Sequence, residues 1–260
     1  METKKNPLLE KLKLPGRVFN LPSRGALYRN GEVARDEGEV HVRALSALAE
    51  INLKNPDMLF SGEALAEVFA ECVPDVKNVT ELYGRDIDAI MFFLRLVTYG
   101  PQYEISVKHN CENAKDHSYL VDIEQMVMGM KQLDPTTIEA DRTVTLDNGQ
   151  VVVVHPVKFD HMIKLFQLNM GKTEFTNEDI RKNIVYNLTN LIESVDGITD
   201  KEQIAGWVAA ISTKQQGRIN DALEKINDWG PPSTCTLKCK DCGKELVAEL
   251  PLNPVSFFTE

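Results

Sequence analysis

No hydrophobic run in the 260 residues approaches the roughly 18 consecutive apolar residues that mark a membrane-spanning helix. The opening segment, Met1–Pro7, carries two lysines and lacks the apolar core of a secretory signal peptide. We therefore expect no membrane partner, and we expect the protein to be made in the cytoplasm.

The sequence also lacks the common signatures of catalytic and nucleotide sites. It contains no G-x-x-x-x-G-K-[ST], no G-x-G-x-x-G, no G-x-S-x-G and no H-E-x-x-H. Asp86 and Asp88 are close enough in sequence to form a carboxylate pair, but such residues commonly cap helices or face solvent, and we expect that here. We predict that the protein is not an enzyme.

Positive charge is in deficit, because 29 Lys and Arg oppose 39 Asp and Glu, which gives a formal net charge of -10. Nucleic acids and anionic membranes attract clustered Lys and Arg. The balance therefore predicts neither of these partners and favours specific protein partners.

Cysteine is scarce, yet three of the five cysteines fall in one short run, Cys235–Cys242. Two thiols separated by two residues and followed by Gly243 form a knuckle that suits zinc, and this pattern is typical of a reducing compartment. The segment 107–117 is the best source of the missing half, because it holds the other clustered Cys and His between two strand-like stretches. We predict one candidate structural zinc, bound by Cys111, Cys239 and Cys242 with His109, His117 or Cys235 as the fourth ligand.

The first half of this site is not a regular knuckle, since Lys108 stands three positions before Cys111 where a second cysteine would complete it. A lapsed site without metal is therefore the alternative. If metal binds, four protein ligands leave no open position for water, so the expected role is structural.

Residues 1–40 are predicted to form an extended arm, because closely spaced prolines and glycines interrupt any helix while apolar anchors recur among them. We expect the arm to lie across a surface, either of this chain or of a neighbour. The alternative for its centre is a surface loop with a local turn. The apolar tail near the C-terminus is expected to pack against the core or against a partner. The candidate partner-binding residues of the two ends are Leu21, Pro22, Arg24, Gly25, Leu27, Tyr28, Phe257 and Phe258.

Between the arm and the tail, residues 41–230 have mainly helical periodicity, interrupted by hairpins at about 102–123 and 143–155. In the second hairpin, Asn148-Gly149 favours a two-residue type I′ turn. Residues 231–260 form a third unit, a cysteine-bearing hairpin followed by the apolar tail. The predicted class is α+β: a mainly helical body with two or three β-hairpins, one pair of which is a candidate zinc-ribbon-like knuckle.

Four features resemble one known virion family: Leu21–Gly25, Val195–Gly197, the Cys239/Cys242 knuckle and the ending Pro254–Phe258. In this order along the chain they are similar to the baseplate hub proteins of T-even-type contractile-tailed bacteriophages. The resemblance implies a non-enzymatic structural subunit at the tail tip, present in the virion, bound to other baseplate and tail proteins, with several copies per baseplate. The alternative is a chaperone or catalyst of hub assembly that is absent from the finished virion.

Overall fold

The computed structural model describes residues 14–28, 33, 38–55, 58, 62–109, 111, 115–169, 174–250 and 257–258. Within these ranges the helices are α1 (Ala47–Leu53), α2 (Glu63–Cys72), α3 (Gly84–Tyr99), α4 (Ile123–Met128), α5 (Pro135–Asp141), α6 (Phe159–Asn169), α7 (Asn177–Leu191), α8 (Lys201–Val208) and α9 (Thr213–Ile226). The strands are β1 (Gly16–Asn20), β2 (Glu39–Arg43), β3 (Gln102–Lys108), β4 (Asp116–Asp122), β5 (Thr143–Thr145), β6 (Val151–Val154), β7 (Ile192–Val195), β8 (Thr234–Lys238) and β9 (Glu245–Glu249). The expected α+β class is confirmed, with helices around small antiparallel hairpin sheets.

The first of two hydrophobic cores surrounds α3, which is apolar around most of its circumference and is buried accordingly. Three antiparallel pairs, β1–β2, β3–β4 and β8–β9, contribute their inward faces, and α1 and α2 add a layer of helix. The ring of Phe19 stacks on Phe93 with centroids 4.3 Å apart. This core therefore combines segments that lie far apart in the sequence, from Phe19 to Phe258.

The second core is drawn from one continuous stretch, Leu133–Trp229. A three-stranded antiparallel sheet in the order β5-β6-β7 packs with α5, α7, α8 and α9. Local signals set its helix ends: Thr176 and Ser212 form capping boxes with Asp179 and Gln215. Asp200 likewise caps the start of α8, since its side chain accepts a hydrogen bond from the backbone N–H of Gln203 at 2.8 Å.

The described part of the predicted arm lies across its own chain. Residues 16–20 pair with 39–43 as β1 and β2, and Phe19 and Leu21 enter the first core. The following turn contains Arg24 at φ 50° and Gly25 at φ 73°. Gly38 must remain a glycine, because a Cβ there would lie 2.6 Å from the backbone nitrogen of Gly25. Residues 1–13, 29–32 and 34–37 of the predicted arm lie outside the described residues.

The hairpin predicted around Asn148-Gly149 is present, but its predicted turn type is wrong. The Leu146 N–H donates to the Gln150 carbonyl and the Gly149 N–H to the Leu146 carbonyl, so three residues form the loop. Gly149 alone among them has positive φ, 85°, whereas a type I′ turn needs positive φ at both central residues. Asp147 lengthens the loop, and the glycine takes the left-handed position at its end.

The end of the chain fills the first core. Phe257 and Phe258 are fully buried, and Phe257 packs against Phe92 and Tyr103. The buried guanidinium of Arg95 donates to the Phe257 carbonyl, while the Tyr99 hydroxyl donates to the Phe258 carbonyl at 3.0 Å. Of the two expected sites for the tail, the core is the one observed; residues 251–256 lie outside the described part.

A polar network at the start of α3 joins the arm and the two cores. The expectation for Asp86 is wrong: its carboxylate is fully buried, accepting from the Ser23 backbone N–H at 3.1 Å and from the Tyr28 hydroxyl at 2.7 Å. The adjacent Arg85 donates to the carbonyl of Trp229 at 2.5 Å. The turn after β1 is thus fixed to α3, and α3 is fixed to the end of the second core.

Candidate metal centre

Two hairpin ends, more than a hundred residues apart in sequence, form the candidate metal centre. β3 ends at Lys108 and places His109 and Cys111 beyond it, where the Cys111 N–H donates to the His109 carbonyl at 2.9 Å. β8 ends at Lys238 and is followed by Cys239, whose carbonyl accepts from the Gly243 N–H at 2.9 Å. Gly243 has φ 71°, which lets the chain turn back into β9.

The two ends bring four donors together. One ligand atom from each of His109, Cys111, Cys239 and Cys242 lies within 4.8 Å of every other. Cys242 Sγ and His109 Nδ1 lie 3.3 Å apart. A tetrahedral zinc ion with bonds of about 2.0–2.3 Å needs donors separated by roughly 3.5–3.8 Å, so small side-chain adjustments suffice. Three thiols and one imidazole are a donor set used by structural zinc sites.

Hydrogen bonds prepare one thiol of the cluster for metal binding. The Cys242 backbone N–H is the largest cause that lowers the pKa of Cys239, to about 6, and partial burial of the sulfur opposes it. At neutral pH the thiolate form of Cys239 is therefore favoured, and the thiolate is the form that binds metal.

Contacts outside the donor set hold the two hairpins in register. Asp241 lies inside the knuckle, and its carboxylate is 2.9 Å from His117 Nε2 on β4. It also accepts from the Lys115 backbone N–H at 3.4 Å, and His117 is the main cause of its lowered pKa. The neighbouring Lys240 accounts for two more contacts, since its backbone N–H donates to the Tyr119 hydroxyl at 3.2 Å and its ammonium donates to the Ser118 carbonyl.

The structure separates the three alternatives for the fourth donor. His109 lies in the cluster, whereas His117 faces Asp241 and Cys235 packs against the first core from β8. Lys108 pairs with Asp116 as the last residue of β3. The spacing His109-x-Cys111 was the available signal, because it places two ligands at the end of a strand in place of the absent cysteine.

The candidate partner-binding residues are mostly covered by the chain itself. Leu21, Pro22, Phe257 and Phe258 are buried, and Leu27 and Tyr28 are half-buried. Arg24 is exposed and donates to the Gln132 side chain at 3.4 Å. Contact of these residues with a neighbouring chain stays a prediction, and the buried ones would have to leave their core to make it.

Among the residues that the structure describes, no helix is long and apolar enough to cross a membrane. A model of the family described as T4 bacteriophage base plate protein matches residues 40–259. No curated protein matches the chain, and no solved structure does.

Proposed function

The chain belongs to the T4 bacteriophage base plate protein family, and on that premise we propose that it is a structural subunit of a contractile tail, located in or beside the baseplate hub. The observation that carries the proposal is the family match, which extends over all of the second core, most of the first and the four clustered donors. Family membership supports a structural role in the baseplate. The position at the hub is the part that we add.

The proposed partners are other baseplate and tail proteins, with several copies of this chain in each baseplate. The net charge of -10 supports protein partners over nucleic acid, because a phosphate backbone would be repelled. The subunit is proposed to transform no substrate. The absence of common catalytic motifs from the sequence supports this, as does a donor cluster whose four protein ligands leave no position for a reacting water.

We further propose that the cluster holds one structural zinc ion. Its donors come from the β3–β4 and β8–β9 hairpins, so the ion would link the middle of the sequence to its C-terminal part. Asp241 and Lys240 already hold these hairpins together through side-chain contacts, and the ion would lock an arrangement that the chain prepares.

Elemental analysis of the purified full chain tests the metal. We expect about one zinc per chain, and we expect Cys239→Ser combined with Cys242→Ser to remove it. Cys235→Ser is the matched control, because this thiol lies in the same hairpin but outside the cluster, and it should retain the metal. Metal-free protein whose thermal stability is unchanged by the double substitution would contradict the proposal.

A density map of the intact baseplate tests the position. We expect the fold described above to be found close to the central axis of the tail, in contact with neighbouring subunits. Finding it only at the periphery would contradict the hub assignment while leaving the structural role intact. The alternative, a chaperone or catalyst of hub assembly, predicts that the fold is absent from the finished particle.

A further inference from the structure

A polar cavity lies beside the loop 155–158, which connects β6 of the second core to α6. It has a volume of about 430 Å³ and is bounded by this loop, by α6, by the end of α7 and by the start of α8. The charged residues of its wall are Lys158, Lys164, Lys201, Asp160 and Glu193. Three lysines against two carboxylates make the wall cationic, in a chain whose formal net charge is -10.

Four of these five charges are already paired. Lys158 lies 2.6 Å from Glu81, and the Lys164 ammonium lies 3.2 Å from the Asp160 carboxylate. Glu193 forms an ion pair with an arginine outside the cavity. The excess positive charge of the wall therefore belongs to the fifth residue, the lysine at the start of α8.

That residue, Lys201, has a donor to spare. Its ammonium donates to the backbone carbonyls of Thr189 at 3.1 Å and Ile192 at 2.6 Å. Burial is the main cause that lowers the pKa of this lysine, because the charged form loses water around it. An ammonium has three N–H donors, so one remains for an anion that enters the cavity.

A second polar group of the wall lacks a hydrogen bond. His161 is only 6 % exposed, and its Nε2 lies 2.8 Å from Asn187 Oδ1, an acceptor. Its Nδ1 is buried and has no hydrogen-bond partner within the described part of the chain. The neutral ring that donates through Nε2 presents Nδ1 as an acceptor, and buried acceptors without a donor are rare in folded proteins. His155 differs, since both of its ring nitrogens contact backbone carbonyls.

We propose that the cavity binds an aspartate or glutamate side chain from a segment of a neighbouring protein chain. The carboxylate accepts the third N–H of Lys201 in a charge-assisted hydrogen bond, and a backbone N–H of the same segment donates to His161 Nδ1. The ring of Tyr186, stacked on His161 with centroids 5.5 Å apart, provides an apolar wall for the methylene groups of that side chain. This inference deepens the proposed structural role and rests on it only for the source of the segment.

Titration of the purified full chain with N-acetylglutamic acid N-methylamide, followed by backbone amide chemical shifts, tests the proposal. This probe carries one carboxylate and two amide N–H groups, and we expect saturable shifts concentrated at His161, Tyr186 and Lys201. The neutral isostere N-acetylglutamine N-methylamide should bind at least tenfold more weakly, because it offers the ammonium no counter-ion. Inorganic phosphate serves as the probe for a dissolved anion. Tighter binding of phosphate than of the glutamate probe would overturn the assignment to a protein segment.

Substitution of the lysine tests its part in the site. Lys201→Met removes the charge and should weaken binding of the glutamate probe at least tenfold, whereas Lys201→Arg keeps the charge and should restore most of it. Lys182→Met is the matched control, since Lys182 is an exposed lysine of α7 outside the cavity wall, and it should leave the affinity unchanged.

The comparison of the two glutamate-like probes uses the unsubstituted chain, so it holds even if Lys201→Met disturbs the fold. Equal binding of the charged probe and its neutral isostere, or an affinity that Lys201→Met leaves unchanged, would overturn the proposal. Neither result bears on the baseplate role, because the isolated chain is measured here and the role is tested on assembled tails.

Discussion

The two cores of the molecule are assembled in different ways. The first joins residues from Phe19 to Phe258, with both ends of the described chain entering it and the candidate metal centre on its edge. The second is built from the continuous stretch Leu133–Trp229 and has helices closed by capping boxes. The first core therefore depends on contacts between distant segments, whereas much of the second is encoded locally.

The largest expected effect comes from breaking the first core at the end of the chain. Phe257→Ala removes a fully buried ring from the contacts with Phe92 and Tyr103, and should lower the free energy of unfolding by about 3–5 kcal/mol. Urea titration measures this loss. Phe175→Ala, at a site 49 % exposed, is the control and should change it by less than about 0.5 kcal/mol. Equal losses in the two variants would show that the tail does not support the core.

The next largest effect is expected from removing the metal, and it should be confined to the hairpins that supply the donors. At a free zinc concentration a thousand times the dissociation constant, binding stabilises the native state by about 4 kcal/mol. Chelation should therefore speed amide exchange in β3, β4, β8 and β9, because the β3–β4 and β8–β9 hairpins supply the donors. Exchange in β5, β6 and β7 should remain nearly unchanged. Equally faster amide exchange in both cores would contradict the expectation that the metal stabilises only the hairpins of the first core.

The pH dependence of the free energy of unfolding tests the polar network at the start of α3, which connects the two cores. Burial raises the pKa of Asp86 and of Asp88 to about 6, above the ordinary value of 3.8. The folded state then binds protons more tightly than the unfolded state, so stability is greatest below about pH 4 for these groups and falls as pH rises to about 6. Each carboxyl contributes on the order of 2–3 kcal/mol over that window.

Asp86→Asn should remove about half of this pH dependence, because the amide does not titrate and still offers an acceptor to the Ser23 N–H. Urea midpoints measured from pH 4 to pH 7 give the slope. The control is Asp200→Asn, an exposed cap in which no comparable burial occurs. If the urea midpoint of Asp86→Asn changes with pH as much as that of the unsubstituted protein, a group other than Asp86 causes the pH dependence.

The smallest expected effect belongs to the second core. Ser212→Ala removes the side-chain cap of α9 and should cost about 1 kcal/mol. The loss should appear in the exchange of the first-turn amides of α9 and should not reach the metal hairpins. Ser212→Asp, which preserves a capping oxygen, should restore most of the stability; failure of this rescue would assign the loss to another cause.

Local signals made much of the second core and half of the metal centre predictable. The Cys239-Lys-Asp-Cys242-Gly243 run predicted a knuckle, and the caps at Thr176 and Asp200 are equally local, because each feature depends on residues within a few positions. The local spacing His109-x-Cys111 favours His109 but does not by itself decide between His109 and His117. That choice depends on how the two hairpins face each other, which Lys240 and Asp241 set across more than a hundred residues.

The sequence was least informative where distant segments meet. Asp86 resembles a helix-capping acid until the turn after β1 is placed over it and buries it. β2 and β7 have only five and four residues, and each becomes a strand because a partner lies beside it. The fully buried Phe257 and Phe258 likewise could have served a neighbour or the core, and only the folded chain distinguishes these.

Quantitative mass spectrometry of purified phage tails tests the central claim, that this chain is a structural part of the baseplate, most directly. We expect its peptides to be present at a fixed copy number per tail, in a constant ratio to known baseplate proteins, after washing in high salt. Complete absence of the chain from finished tails, with its presence confined to assembly intermediates, would contradict the claim and support the assembly factor.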